Sequence, residues 1–202
     1  MQWLKNRGVA DFRSLDHPPT GSPDLRYTAF MRILGIDCGS EYTGYGVVEE
    51  AAPHRLFCIA AGAIHLRPRD AMAVKLQQIY SQLSQLIIDH QPEMVAIEEV
   101  FYAVNVKSAL KLGQVRGVAM LAASAAGLEV AEYSPLSIKS AVVGYGRAEK
   151  QQVQDMVMRL LNLPEPPEPA DAADALAIAI CHIHTASTLK RYKRTKPQEI
   201  TS

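Results

Sequence analysis

From Arg32 the chain runs apolar almost without a break to Ile36, meets Asp37, and turns through Cys38-Gly39-Ser40-Glu41. It then returns along a second β-prone run from Tyr42 to Val48. This pattern predicts a β-hairpin that lifts Asp37 to the rim of a sheet, on a central strand covered on both faces. A third, less regular strand is expected around Leu56–Ile64, before Arg67-Pro68-Arg69-Asp70 breaks the alternation. From Ala71 to His90 the period becomes helical, with Ala73, Leu76, Ile79, Tyr80, Leu83, Leu86 and Ile87 on one stripe and Pro92 beyond its end. Met94–Val100 is a short apolar strand that again delivers acid, Glu98 and Glu99, near its C-terminal end. A loop over Phe101–Asn105 leads to a long helix, Lys107–Ala126. Its Ala109, Gly113 and Gly117 recur every four residues, which permits close backbone packing within the fold or across a dimer.

Glu129–Tyr133 reads as the fifth strand, Leu136–Val143 as a short helix ending at Gly144-Tyr145-Gly146, and Ala148–Leu163 as a further helix. Pro164–Pro169 is a stiff linker, and Ala170–His184 is a helix so apolar that it must pack against the sheet. The order βββαβαβααα gives an α/β domain on a mixed five-stranded sheet flanked by helices.

Length and composition agree with that layout. The 202 residues, 48% of them hydrophobic, suit one soluble domain with a sizeable core and loose ends. Residues 1–30, rich in proline, glycine and charge, read as a disordered extension ahead of a domain over 31–184; residues 185–202 read as a basic flexible tail. Met31 stands directly before the first strong strand and is a candidate translation start. The formal net charge is zero, which counts mildly against a nucleic-acid partner. The three cysteines, Cys38, Cys58 and Cys181, are far apart and fit a reducing compartment such as the cytoplasm. No stretch reads as clean enough to span a bilayer, and the first residues lack the apolar region of a secretory signal.

The acids carry the candidate chemistry. Taken alone, Asp37 is a turn-capping aspartate, Asp171 a helix N-cap and Asp174 a partner for the helix dipole. Glu98 alone is an ordinary strand-end acid, with Glu99 competing for its role. Taken together they read differently. If the strands bearing Asp37 and Glu98 are parallel neighbours, both carboxylates face one crevice, where ligands of open α/β sheets bind. Asp171 and Asp174, three apart, share a helix face. Four converging carboxylates repel one another, and divalent cations remove that repulsion. Hard oxygen donors that leave room for water and phosphate suit Mg²⁺, and two such ions can clamp an in-line phosphoryl displacement. Lys139 and Lys150 are candidates to hold the phosphate, or are solvated surface lysines. The scattered histidines, including His182 and His184 on different faces of one helix, do not compose a zinc site.

These residues also resemble a known family. Ile33–Ser40 with Thr43–Val47, Ala96–Phe101 with Asn105 and Ser108–Gly117, Val142–Gly146 with Ala148–Lys150, and Ala170–Ala177 are similar, in order, to the motifs of the RuvC family of Holliday-junction resolvases. The resemblance covers about residues 31–184. It implies an RNase H-like fold, a homodimer, and symmetric nicking of a four-way DNA junction that depends on Mg²⁺, two per site, or on Mn²⁺. It places the family's metal ligands at Asp37, Glu98, Asp171 and Asp174, its phosphate-side lysines at Lys139 and Lys150, and its junction-stacking aromatic at Phe101. It implies 5′-phosphate and 3′-hydroxyl products, and RuvA and RuvB as branch-migration partners. Two positions depart from the pattern: Cys38 stands where the family usually has proline, and Glu41 where it often has a basic residue. Two rivals compete with a nuclease. An actin-like phosphotransferase needs two phosphate-loop lobes, and this chain shows one. A junction-binding module without catalysis has no need of all four acids.

Overall fold

A computed structural model describes residues 10–11, 31–52, 55–99 and 106–195. Among the described residues, six strands form one mixed sheet in the order β1-β4-β3-β2-β5-β6. They are β1 (Ala10–Asp11), β2 (Met31–Asp37), β3 (Tyr42–Ala52), β4 (Arg55–His65), β5 (Met94–Glu98) and β6 (Glu129–Tyr133). Strands β2 to β6 are the five expected. The two-residue β1 is an addition from the extension read as disordered, pairing antiparallel with the edge of β4 at Ala61 and Ala60. An open strand edge is a row of unmet backbone donors and acceptors, and even a short strand satisfies some of them.

Flanking the sheet among the described residues are the helices α1 (Met72–His90), α2 (Val106–Ala125), α3 (Pro135–Val143), α4 (Lys150–Leu160) and α5 (Ala170–Thr195). Helix α5 runs eleven residues past the expected end at His184, since the basic residues after Leu189 are themselves good helix formers. Its Ala170–Leu189 stretch is, contrary to expectation, long and apolar enough to cross a bilayer by length and composition. In the fold 61% of that window is buried, because it packs on β2 and β3.

The alternation along each strand sorts its side chains onto two faces. On one face Leu34, Ile36, Val95 and Ile97 meet α1 and α2 through Ile79, Leu83, Ile87, Val115 and Ala119. The α1 stripe is narrower than expected, for Ala73 and Tyr80 are exposed while Leu76 and Leu86 are partly buried. On the other face Ile33, Val48 and Ala96 meet α3, α4 and the small residues of α5. Asp37 shares this second face with Ile33 and Gly35, and Glu98 shares it with Ala96.

Gly113 and Gly117 of α2 face open space: a Cβ built at either meets nothing within 4 Å. The within-fold reading of these glycines is therefore excluded among the described residues. Val106, Leu110 and Leu121, at helical spacing from them, are all more than half exposed.

Candidate active site

The site begins with the pairing of β2 and β5. They are parallel neighbours, with Ile36 opposite Ile97, so Asp37 and Glu98 follow side by side at their C-terminal ends. The hairpin behind Asp37 is pinned by Thr43, fully buried, whose Oγ1 donates to the Gly39 carbonyl at 3.1 Å. In the ladder to β3, Asp37 lies opposite Gly44 and Gly35 opposite Gly46, so these three glycines share the face of Asp37.

That row of glycines seats α5. A Cβ added at Gly44 would stand 2.1 Å from the Asp171 carbonyl oxygen, and one at Gly35 would stand 2.1 Å from that of Ala175. One at Gly46 would meet the Leu176 nitrogen and side chain at 2.8 Å. No L side chain fits between helix and sheet at these points, so backbone lies on backbone. The first turns of α5, carrying Asp171 and Asp174, are thereby brought over the end of β2.

The electrostatics report the result. Burial first, then repulsion from Asp174, Glu98 and Asp171, pushes the Asp37 carboxyl up from its ordinary 3.8 to about 7, against an opposing pull from Lys150. Burial, followed by Asp174, also raises Glu98, while Lys139 and Lys150 hold it down. All four acids and both lysines thus belong to one electrostatic group. Lys150, the first residue of α4, reaches across to α5 and donates from Nζ to Asp174 Oδ2 at 2.6 Å. That hydrogen bond is the leading cause of its raised pKa. Lys139 on α3 lines the same cleft of about 210 Å³ as Glu98, Lys150 and Asp174, with Pro135 and Ile138 on its wall.

Other expectations fare differently. Phe101 lies outside the described residues. Burial pushes the Cys38 thiol up to about 12, with Asp37 adding to the rise, so it stays protonated beside the acid. His182 and His184 serve the fold: Tyr133 Oη and His182 Nδ1 are hydrogen-bonded at 2.9 Å, and His184 Nδ1 lies 2.9 Å from the Ala141 carbonyl. Among the described residues, no three His, Cys, Asp or Glu side chains are grouped to hold a metal ion by themselves. The donor set is all carboxylate oxygen, and its leading member carries an unmet demand for positive charge. A divalent cation that keeps water or substrate oxygens among its ligands fits such a set.

What sequence reasoning missed is the seat. Gly44 and Gly46 read as parts of a turn and a motif, whereas with Gly35 they make the helix approach possible. The signal was present, for the glycines fall on the strand face of Asp37, and α5 answers them with alanines.

Comparison with known proteins agrees with this architecture. The family profile of crossover junction endodeoxyribonuclease RuvC matches residues 33–182. A relative of that name from Koribacter versatilis is 67% identical over 161 residues, covering 80% of this chain and 97% of its own length. One from Acidobacterium capsulatum is 60% identical over 166 residues, covering 79% of this chain and 97% of the relative. Among solved structures, T. thermophilus RuvC in complex with Holliday junction substrate superimposes with a TM-score of 0.75 at 33% identity, over 78% of this chain and 96% of that one. The yeast mitochondrial Holliday junction resolvase Ydc2, at 16% identity and a TM-score of 0.61 over 81% of this chain and 84% of its own, shares the fold.

Proposed function

The chain belongs to the RuvC family of crossover junction endodeoxyribonucleases, and from that premise we propose how its own residues resolve a four-way DNA junction. It is a nuclease of RNase H-like fold whose activity depends on divalent metal. In our reading the metal is Mg²⁺, two ions per site, with Mn²⁺ able to substitute. Asp37, Glu98, Asp171 and Asp174 hold the ions, each supplying hard oxygen donors. When bound, the cations supply Lewis acidity toward the phosphate oxygens and make the attacking water nucleophilic.

The protein's part is placement and charge. The cleft bounded by α3, α4, α5 and the end of β5 admits the scissile phosphate, with Lys139 and Lys150 on its wall facing the phosphate's developing negative charge. Lys150 must exchange some of its hold on Asp174 for that phosphate, and the lysine's exposed side chain leaves it free to do so. The water oxygen forms the new bond to phosphorus, and the bond to the 3′ oxygen breaks. The ends are then a 5′-phosphate and, once that oxygen takes up a proton, a 3′-hydroxyl. Phe101 stacks on a base unpaired at the crossover.

Two symmetric cuts require two sites, and we infer a homodimer built through the open face of α2. Among the described residues, nothing covers Val106, Leu110, Gly113, Gly117 and Leu121 there. Glycine at two successive turns lets a second helix approach closely. The nuclease domain spans residues 31–184 and continues through the basic end of α5 to Thr195, and the RuvA–RuvB branch-migration complex is the partner assembly in the cytoplasm; no membrane is involved. The observation that carries the reading is geometric: parallel β2 and β5 end side by side at Asp37 and Glu98, and the glycine seat brings Asp171 and Asp174 of α5 over that end.

The test is incubation of the protein with a labelled synthetic four-way junction, with and without Mg²⁺, beside linear duplex of the same sequence. Paired symmetric nicks confined to the junction and to metal are expected. Binding without cutting, in Mg²⁺ and Mn²⁺ alike, would leave the rival of an inactive binding module.

A further inference from the structure

Among the side chains that the mechanism above leaves unused is the aromatic ring of the loop between α3 and α4. Gly144, at φ +97°, closes α3 in the left-handed region. Gly146 fits so closely that a Cβ there would stand 2.5 Å from Leu136 Cγ. Between them projects Tyr145, 48% exposed, contributing little to any core. Its most definite contact is polar. The Tyr145 hydroxyl donates to Gln152 Oε1 at 2.7 Å. The same oxygen accepts the Glu149 backbone N–H at 2.9 Å, and the Glu149 side chain accepts from the Gln152 backbone, which completes a capping box. Gln152 is therefore held from two sides, and the first turn of α4 with it.

Lys150 is the first residue of that turn. The positive end of a helix dipole disfavours a cation at this position. The dipole of the helix it starts therefore gives its ammonium no electrostatic anchor. The ammonium is placed by where the turn stands and by Asp174 across the cleft, 2.6 Å from Nζ. Each of the five groups from Tyr145 to Asp174 is joined to the next by a hydrogen bond or by the chain itself.

We propose that Tyr145 is a positioning residue for strand cutting, bracing the α4 capping box so that Lys150 stands where the scissile phosphate needs it. The proposal rests on the junction-cutting reading and assigns the tyrosine no contact with DNA. Acting through the capping box, it must affect the rate on bound substrate rather than the binding. It must also act only while Lys150 is present.

Tyr145→Phe keeps the ring and removes the donor. Three readings are needed on this variant: single-turnover cutting of a synthetic four-way junction in Mg²⁺, junction affinity in EDTA, and amide hydrogen exchange over the first turn of α4. The cutting rate should fall about 3- to 10-fold, the worth of one net hydrogen bond. Affinity should stay unchanged, and exchange at the Glu149 and Gln152 amides should quicken. In a Lys150→Ala background the same change should cost nothing further. An unchanged rate would overturn the proposal. So would an undiminished loss in the Lys150→Ala background, or a loss of affinity in step with rate, which would make Tyr145 a DNA contact. If the parent protein fails to cut the junction with either Mg²⁺ or Mn²⁺, the reading of function itself falls, whatever Tyr145 does.

Discussion

The two faces of the sheet are packed by different means. Toward α1 and α2 the contact is made by side chains: Leu34, Ile36, Val95 and Ile97 interdigitate with Ile79, Leu83 and Ile87, all buried. Toward α5 the contact is made near the rim by backbone, across Gly35, Gly44 and Gly46. A side-chain interface sets helix and sheet about a residue's width apart and tolerates small repacking. A glycine interface brings the helix closer and fixes it, because backbone has nothing to rearrange. The first face supplies stability. The second spends glycine's conformational entropy on bringing acids from separate elements together. The comparison teaches that position, rather than burial alone, is what the α5 face is built for.

The comparison breaks most sharply at Asp37. Asp37→Asn should lower junction cutting by about 10³-fold or more, since several kcal/mol of metal-assisted stabilisation depend on the ligand set. The same change should stabilise the metal-free fold. Asp37 titrates at 3.8 when unfolded and at about 7 when folded, so the folded state holds its proton longer. Parent stability should therefore fall as pH rises from about 4 to about 7 and level off above, a loss of at most about 4 kcal/mol. Thermal melts in EDTA across that range should show the fall in the parent and its reduction in Asp37→Asn. Mg²⁺ should restore the parent above pH 7 but not the variant.

Gly44→Ala should rank next. Its Cβ meets a carbonyl oxygen at 2.1 Å, so α5 must lift. Stability should drop by about 1–3 kcal/mol, and a displacement on the ångström scale should cost about 10²-fold in cutting. Denaturant melts and single-turnover rates on one preparation would show both. Ile79→Ala, on the opposite face, should separate the two quantities. It should remove about 2–5 kcal/mol of stability, yet leave the rate of the folded protein within about twofold. If Ile79→Ala impaired cutting as much as Gly44→Ala does, the distinction between the faces would fail. The smallest effect should come from Tyr133→Phe, which removes the hydrogen bond from β6 to His182. About 1 kcal/mol of stability and no change in rate are expected, because α5 is held by its glycine seat rather than by that link.

Much of this was legible in the sequence. The continuous apolar run of β2 announced a central strand, and the change of period announced α1. The acids at two strand ends and on one helix face announced the carboxylates that the fold gathers at the end of the sheet, because alternation and helical spacing are local rules. The unread parts depended on contacts distant in sequence. Nothing near Gly44 says that Asp171 will lie over it, and nothing in α2 says that Gly113 will be left uncovered. The length of α5 was misjudged because a basic tail that continues a helix looks like one that leaves it. The strand at Ala10 was missed because two residues carry no period.

Mn²⁺ binding, read by anomalous scattering from crystals of the parent and of Asp37→Asn, would show whether the gathered carboxylates hold metal. Metal is expected in the parent, bounded by Asp37 together with Glu98, Asp171 or Asp174, and should be lost or markedly weakened in the variant. Metal absent from those carboxylates, or bound there equally well without Asp37, would contradict the assignment of these four acids as its ligands.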